Sequence, residues 1–238
     1  MEKILCPNGM RILLEPSESA KTATIAVFIR AGSRYETLSQ WGLAHFVEHM
    51  LFKGTPKRTA QQLAEQTDMI GGQSNAFTTK EYTCVYIRAL SEYDADALDL
   101  VGDIVVNPLI SPEDVEVERG VILEEISMYE DSPEDLAGDG IYEAVWGKDP
   151  LGRTIIGLPE TIKAVTVDEI RQFHQSFYRP DQMILAVSGK FDRQRILEKA
   201  QELFGSLSGS SNFVAPQPPI WQPNGIWVRK KDTQQVHI

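Results

Sequence analysis

Apolar residues recur along this chain with two different periods, and the change between them marks out the elements. Near the N-terminus, Ile4 to Cys6 and Met10 to Leu14 flank Pro7-Asn8-Gly9, residues suited to the positive φ of a tight turn, which predicts a hairpin. Thr22 to Ala31 is rich in strand-forming residues and ends at Gly32. From Gly42 the spacing becomes helical: Leu43, Phe46, Val47, Met50 and Leu51 predict a helix over 43–52. Thr59 and Gln62 form a capping-box pair that opens a second helix, stopped by Gly71-Gly72. Gln73 to Thr78 and Tyr82 to Leu90 read as paired strands. Helices are then expected from Ser91 to about Val106, from Ser111-Pro112 to about Tyr129, after Ser132-Pro133, and after the Thr166 cap. Met183 to Ser188 reads as a buried strand and Arg193 to Phe204 as a last helix. Strands and helices mix without βαβ alternation, so the expected fold class is α+β, a mostly antiparallel sheet covered by helices.

Beyond residue 204 the character changes. Residues 205–219 are rich in Gly, Ser and Pro and carry no charge, the composition of a linker. The expected organisation is a domain over 1–208, a linker over 209–224, and the truncated start of a second domain over 225–238. Strands are expected at Gly225 to Lys230 and Gln234 to Ile238. The second of these is cut by the end of the chain, which reads as a piece of a longer protein.

Composition narrows the class. With 42% hydrophobic and 24% charged residues the chain is an ordinary globular sequence. No apolar run approaches the length of a membrane span, and Met1 to Pro7 lacks the features of a secretory signal, so no membrane association is expected. Two cysteines, Cys6 and Cys84, make neither a disulfide framework nor a metal pair, and a reducing, cytoplasmic location is the expectation. A net charge of −11 argues against nucleic-acid binding and favours basic substrates wherever acids line a cleft.

The chemistry is concentrated in His45-Phe46-Val47-Glu48-His49. Two histidines four apart on a helix project from one face, one turn apart, as two ligands to one ion must. Glu48 flanks the same point without having to bind it. This is the H-x-x-E-H order, two zinc ligands with a general base. Catalytic zinc usually takes three protein ligands and keeps one position for water. The helix from Ser111 supplies the third candidate. There Val117, Val121, Ile122, Ile126, Met128 and Tyr129 define one apolar face, with Glu118 and Glu125 near its centre and Glu124 at its margin. Carboxylates on an apolar face need a cation, so Glu125 is the expected third ligand and Glu118 the acid that orients a liganding histidine. His174, beside Phe173 and Phe177, reads as a packed or surface histidine.

Four stretches resemble the pitrilysin-type (inverzincin, M16) peptidases, and among them the bacterial relatives of the mitochondrial processing peptidase β-subunit. They are Gly32-Ser33-Arg34, Gly42 to Thr55, Gly71-Gly72-Gln73-Ser74-Asn75-Ala76-Phe77-Thr78, and Glu118 to Ile126. The resemblance implies one zinc per chain held by His45, His49 and Glu125, with Glu48 activating water. The family's spacing to the distal glutamate is one residue longer, which sets Glu124 beside Glu125 as the alternative. Phase and the six-residue offset from Arg119 favour Glu125. The resemblance also implies that Asn75, Ala76 and Phe77 lie on a strand that binds peptide by β-addition. It further implies a two-domain half-clamshell, of which this is the N-terminal half, pairing as a homodimer or with a sister subunit. The expected activity is zinc-dependent endopeptidase, with residues 1–238 inactive without the rest of the protein. The alternative is a catalytically silent peptide-binding or structural subunit.

Overall fold

A computed structural model describes residues 1–207, 215–219, 221, 226–231 and 236. Among these residues six strands form one sheet: β1 (Glu2–Leu5), β2 (Arg11–Pro16), β3 (Thr22–Ile29), β4 (Gln73–Thr78), β5 (Thr83–Leu90) and β6 (Met183–Gly189). Their order is β1-β2-β6-β3-β5-β4. Every neighbouring pair is antiparallel except β2 with β6. The expected α+β class with a mostly antiparallel sheet therefore holds.

Alternation along the central strands explains why helices gather on one face. In β3, Ala23, Ile25, Val27 and Ile29 are fully buried, whereas Thr24 and Phe28 on the other face are half-buried. β5 and β6 repeat the pattern. Such a sheet takes its cover on one side only. The cover comes from α1 (Leu43–Leu51), α2 (Ala60–Met69), α3 (Asp94–Val106), α4 (Pro112–Asp131), α5 (Pro133–Trp146), α6 (Pro159–Ala164), α7 (Val167–Phe177) and α8 (Arg193–Phe204). Of these, α3 lies on β3 and β5 and meets α8, while α1 is held by α4, α7 and β4. No described helix is long and apolar enough to cross a membrane.

Two expectations need correction. Residues 226–230 form no strand. Instead Trp227 packs on Gly140 and donates from Nε1 to Glu143 at 3.0 Å, and Arg229 pairs with Glu130 at 2.5 Å, so among the described residues this segment is held by side chains. Of the second expected strand, only Val236 lies within the described residues. The apolar face assigned to α4 is also misplaced. Its buried stripe is Val115, Glu118, Ile122 and Ile126, while Val117 and Met128 are 64% and 72% exposed and Val121 and Tyr129 are also exposed. Both sides of α4 carry apolar residues, and its contacts with α1 and α6 decide which side is buried. The sequence also gave no sign of α6, a single turn and a half opened by Pro159.

Candidate metal and catalytic site

The site begins with the way α1 starts. Gly42 has φ +97°, and a Cβ there would meet Gly157 Cα at 2.8 Å, so both conformation and space require glycine. Glycine brings no capping side chain. The cap comes from Glu36, a buried residue whose Oε2 accepts the Gly42 N–H at 3.0 Å and whose Oε1 accepts the Ala44 N–H at 2.7 Å. Burial pushes the Glu36 carboxyl up to about 8, against the two N–H groups that favour its ionised form.

Six of the nine residues of α1 are buried: Leu43, Ala44, Phe46, Val47, Met50 and Leu51. What remains is a strip of His45, Glu48 and His49, at the spacing that shares one helix face. The two imidazole rings stand edge to face with centroids 4.6 Å apart. Across from them, α4 brings Glu125 Oε2 to 3.8 Å from His45 Nε2 and 3.6 Å from His49 Nε2. Arg119, one turn and a half earlier on α4, ties this helix to α6 by donating to the carbonyls of Ile162 and, at 2.8 Å, Val165. Glu124 is exposed and stands outside the cluster.

Two imidazole nitrogens and one carboxylate oxygen make a donor set that could hold a metal ion. Ligands at ordinary zinc distances on tetrahedral corners stand roughly 3.4 Å apart, so the observed separations need only a small inward movement. Burial, with His49 alongside, holds the His45 imidazole well below its ordinary value, at about 4, so its lone pair is free. Burial opposes charge on His49 too, but Glu125 and Glu118 outweigh it and raise its pKa. Glu125 is correspondingly lowered, first by its contact with His49.

Glu118 is 4% exposed. Its Oε2 meets His49 Nδ1 at 2.9 Å and its Oε1 meets Lys53 Nζ at 2.5 Å. The bond to Nδ1 leaves Nε2 facing Glu125, the tautomer a ligand requires. The compensating cation for this buried acid is Lys53, four residues after His49. Glu48 lies on the other side of the cluster. Burial raises its carboxyl above the usual glutamate range, opposed by a hydrogen bond from Thr78. Tyr178 is buried with Glu48 nearby, and burial keeps its phenol neutral, well above its ordinary value.

A cavity of about 280 Å³ opens beside His45, Glu48 and Glu125. Its walls include Ala76 and Phe77 of β4, Tyr129 of α4, Asp139 of α5, and Ile156. Asn75 is exposed, does not line this cavity, and accepts the Ala76 N–H on its own Oδ1 at 2.8 Å. β4 is the last strand of the sheet, so among the described residues its outer edge has no partner. A larger cavity, about 570 Å³, lies away from the cluster around Arg171, His174 and Arg179. There His174 is half-buried and committed to the Val105 carbonyl at 2.9 Å. Lys53, Thr78 and Asp139 are the members of this neighbourhood that periodicity could not supply, because each reaches it only through tertiary packing.

The chain resembles known proteins along its whole length. An uncharacterized zinc protease of Bacillus subtilis is 37% identical over 238 residues, covering 100% of this chain and 58% of that protein. A probable mitochondrial-processing peptidase subunit beta of Arabidopsis thaliana is 37% identical over 216 residues, 89% of this chain and 41% of that one. The solved structure of a protease from Helicobacter pylori superposes with a TM-score of 0.83 at 26% identity, covering 91% of this chain and 52% of that one. This chain thus spans a little over half the length of the curated bacterial relatives it matches. Residues 164–238 match the model of the peptidase M16 inactive domain. Residues 11–158, which contain both histidines, Glu48 and Glu125, match the model of the insulinase peptidases, and the chain belongs to that family, M16.

Proposed function

We propose that this chain is the zinc-binding half of a metalloendopeptidase that hydrolyses peptides or unfolded segments. The observation that carries the proposal is the convergence of His45 Nε2, His49 Nε2 and Glu125 Oε2 from two helices, with Glu48 beside them and an unpaired strand edge alongside. These three side chains hold one zinc ion. The bound ion supplies Lewis-acid polarisation of the scissile carbonyl and makes water more acidic.

The rest is done by the chain itself. Glu118 and Lys53 keep His49 in the tautomer that points Nε2 inward. Glu48, its carboxyl raised by burial, accepts the proton of the attacking water and delivers it to the departing amide nitrogen. An extended peptide adds to the free edge of β4 near Asn75 and Ala76, held by backbone hydrogen bonds that demand little of its sequence, with Phe77 and Asp139 beside its side chains. Asp139 and the net charge of −11 favour basic peptides. Residues 209–224 link this domain to a second one, and the whole protein works as a dimer, with a second copy or a sister subunit.

The test is hydrolysis of a quenched-fluorescence basic peptide by the full-length, zinc-loaded protein. Glu48→Gln should keep stoichiometric zinc and lose at least about a thousandfold in kcat. Turnover of that variant at the wild-type rate would refute the role of Glu48. A folded, zinc-loaded wild type with no hydrolysis would favour the silent peptide-binding subunit instead.

A further inference from the structure

A general base at the end of a glutamate side chain can turn, and each orientation that points its oxygens away from the water lowers the rate. Thr78 holds the Glu48 carboxyl through its hydroxyl and, more weakly, through its backbone N–H, which a substitution at Thr78 leaves in place. Glu48 Oε2 accepts the hydroxyl hydrogen of Thr78 at 2.5 Å. With Oε2 held, Oε1 is the oxygen left to take a proton from water in the cavity that Glu48 lines. Thr78 closes β4 and pairs directly with Thr83 of β5. Thr83 is fully buried, and its own hydroxyl hydrogen is committed to the Ala31 carbonyl at 2.6 Å. Only oxygen lone pairs of Thr83 therefore face Thr78 Oγ1, 3.2 Å away. The single hydrogen of Thr78 has two acceptors in reach, and the nearer, Glu48 Oε2, takes it.

Resting on the peptidase reading above, we infer that Thr78 is a positioning residue for Glu48: its hydroxyl fixes Oε2 and so presents Oε1 to the water, while the Thr83–Ala31 bond fixes the surroundings of Thr78. A threonine at the end of a strand also has an ordinary explanation, since β-branched residues suit strands. The two roles separate by substitution. Thr78→Val keeps the branched shape and strand preference and removes the O–H, whereas Thr78→Ser keeps the O–H and removes the methyl.

In the full-length, zinc-loaded protein, Thr78→Val should lower kcat roughly 10- to 100-fold, leave KM within about twofold and leave zinc content unchanged. Thr78→Ser should stay within about threefold of wild type. No loss in the valine variant, or equal loss in both, overturns the inference. Crystal structures of zinc-loaded wild type and Thr78→Val give a readout independent of turnover. A single Glu48 orientation in the wild type, turned or split in the variant, supports the inference, and the same orientation in both refutes it. A wild type that hydrolyses nothing refutes the peptidase reading, and the comparison of Glu48 orientations then decides the role of Thr78.

Discussion

His49 is the residue on which most of the local chemistry converges. One ring nitrogen faces Glu125 and the other is bonded to Glu118, so the imidazole is oriented from both sides. Glu118 is itself buried, and only Lys53 and His49 make that burial tolerable. Removing it should act on metal affinity through His49. Glu118→Ala is expected to weaken zinc binding about 10- to 100-fold, measured by chelator competition on the folded protein. Affinity unchanged from wild type would mean that His49 is oriented by packing alone.

At the scale of elements, α1 matters more than its nine residues suggest, because it carries three of the four side chains of the proposed chemistry on one strip. The start of this helix depends on Glu36, seven residues before its first turn in sequence and buried beneath it. An unfolded glutamate ionises near 4.5, whereas the folded protein holds the proton to about 8. The folded state therefore binds a proton that the unfolded state releases. This contribution to stability is complete below pH 4.5 and is lost as pH rises through about 8. Glu36→Gln should cost about 1–3 kcal/mol at pH 5, because one buried N–H loses its acceptor. It should also flatten the fall in stability between pH 5 and 8. Urea midpoints across that range measure both, and an unchanged slope would show that another group titrates.

At the scale of the molecule, the sheet brings together parts of the chain that are far apart in sequence. β6 lies between β2 and β3, so residues 183–189 complete the sheet begun by the first thirty. The site forms where α1, α4, α5 and the edge strand β4 meet, and the cavity there takes one wall from each. Asp139 belongs to it only by this assembly. Burial raises its carboxyl while Lys80 opposes the rise. Asp139→Asn should reduce kcat/KM for basic peptides roughly 5- to 10-fold and leave neutral peptides unchanged. Equal effects on both would place Asp139 in the support of α5 and not in recognition.

Local signals in the sequence were strong wherever a short stretch decides its own structure. The Thr59–Gln62 box, the Ser111-Pro112 and Ser132-Pro133 starts, and the six strands of the sheet form where their residues predict. The spacing of His45, Glu48 and His49 belongs to the same class, because a helix places i, i+3 and i+4 on one face whatever surrounds it. Tertiary structure alone decided which side of α4 is buried, since apolar residues occupy both sides and only the contacts with α1 and α6 choose between them. It also decided that Lys53 answers Glu118 and that Thr78 reaches Glu48 from thirty residues away. A helix or a turn is set by neighbours in sequence, but a cluster of side chains from separate elements exists only once packing has brought those elements together.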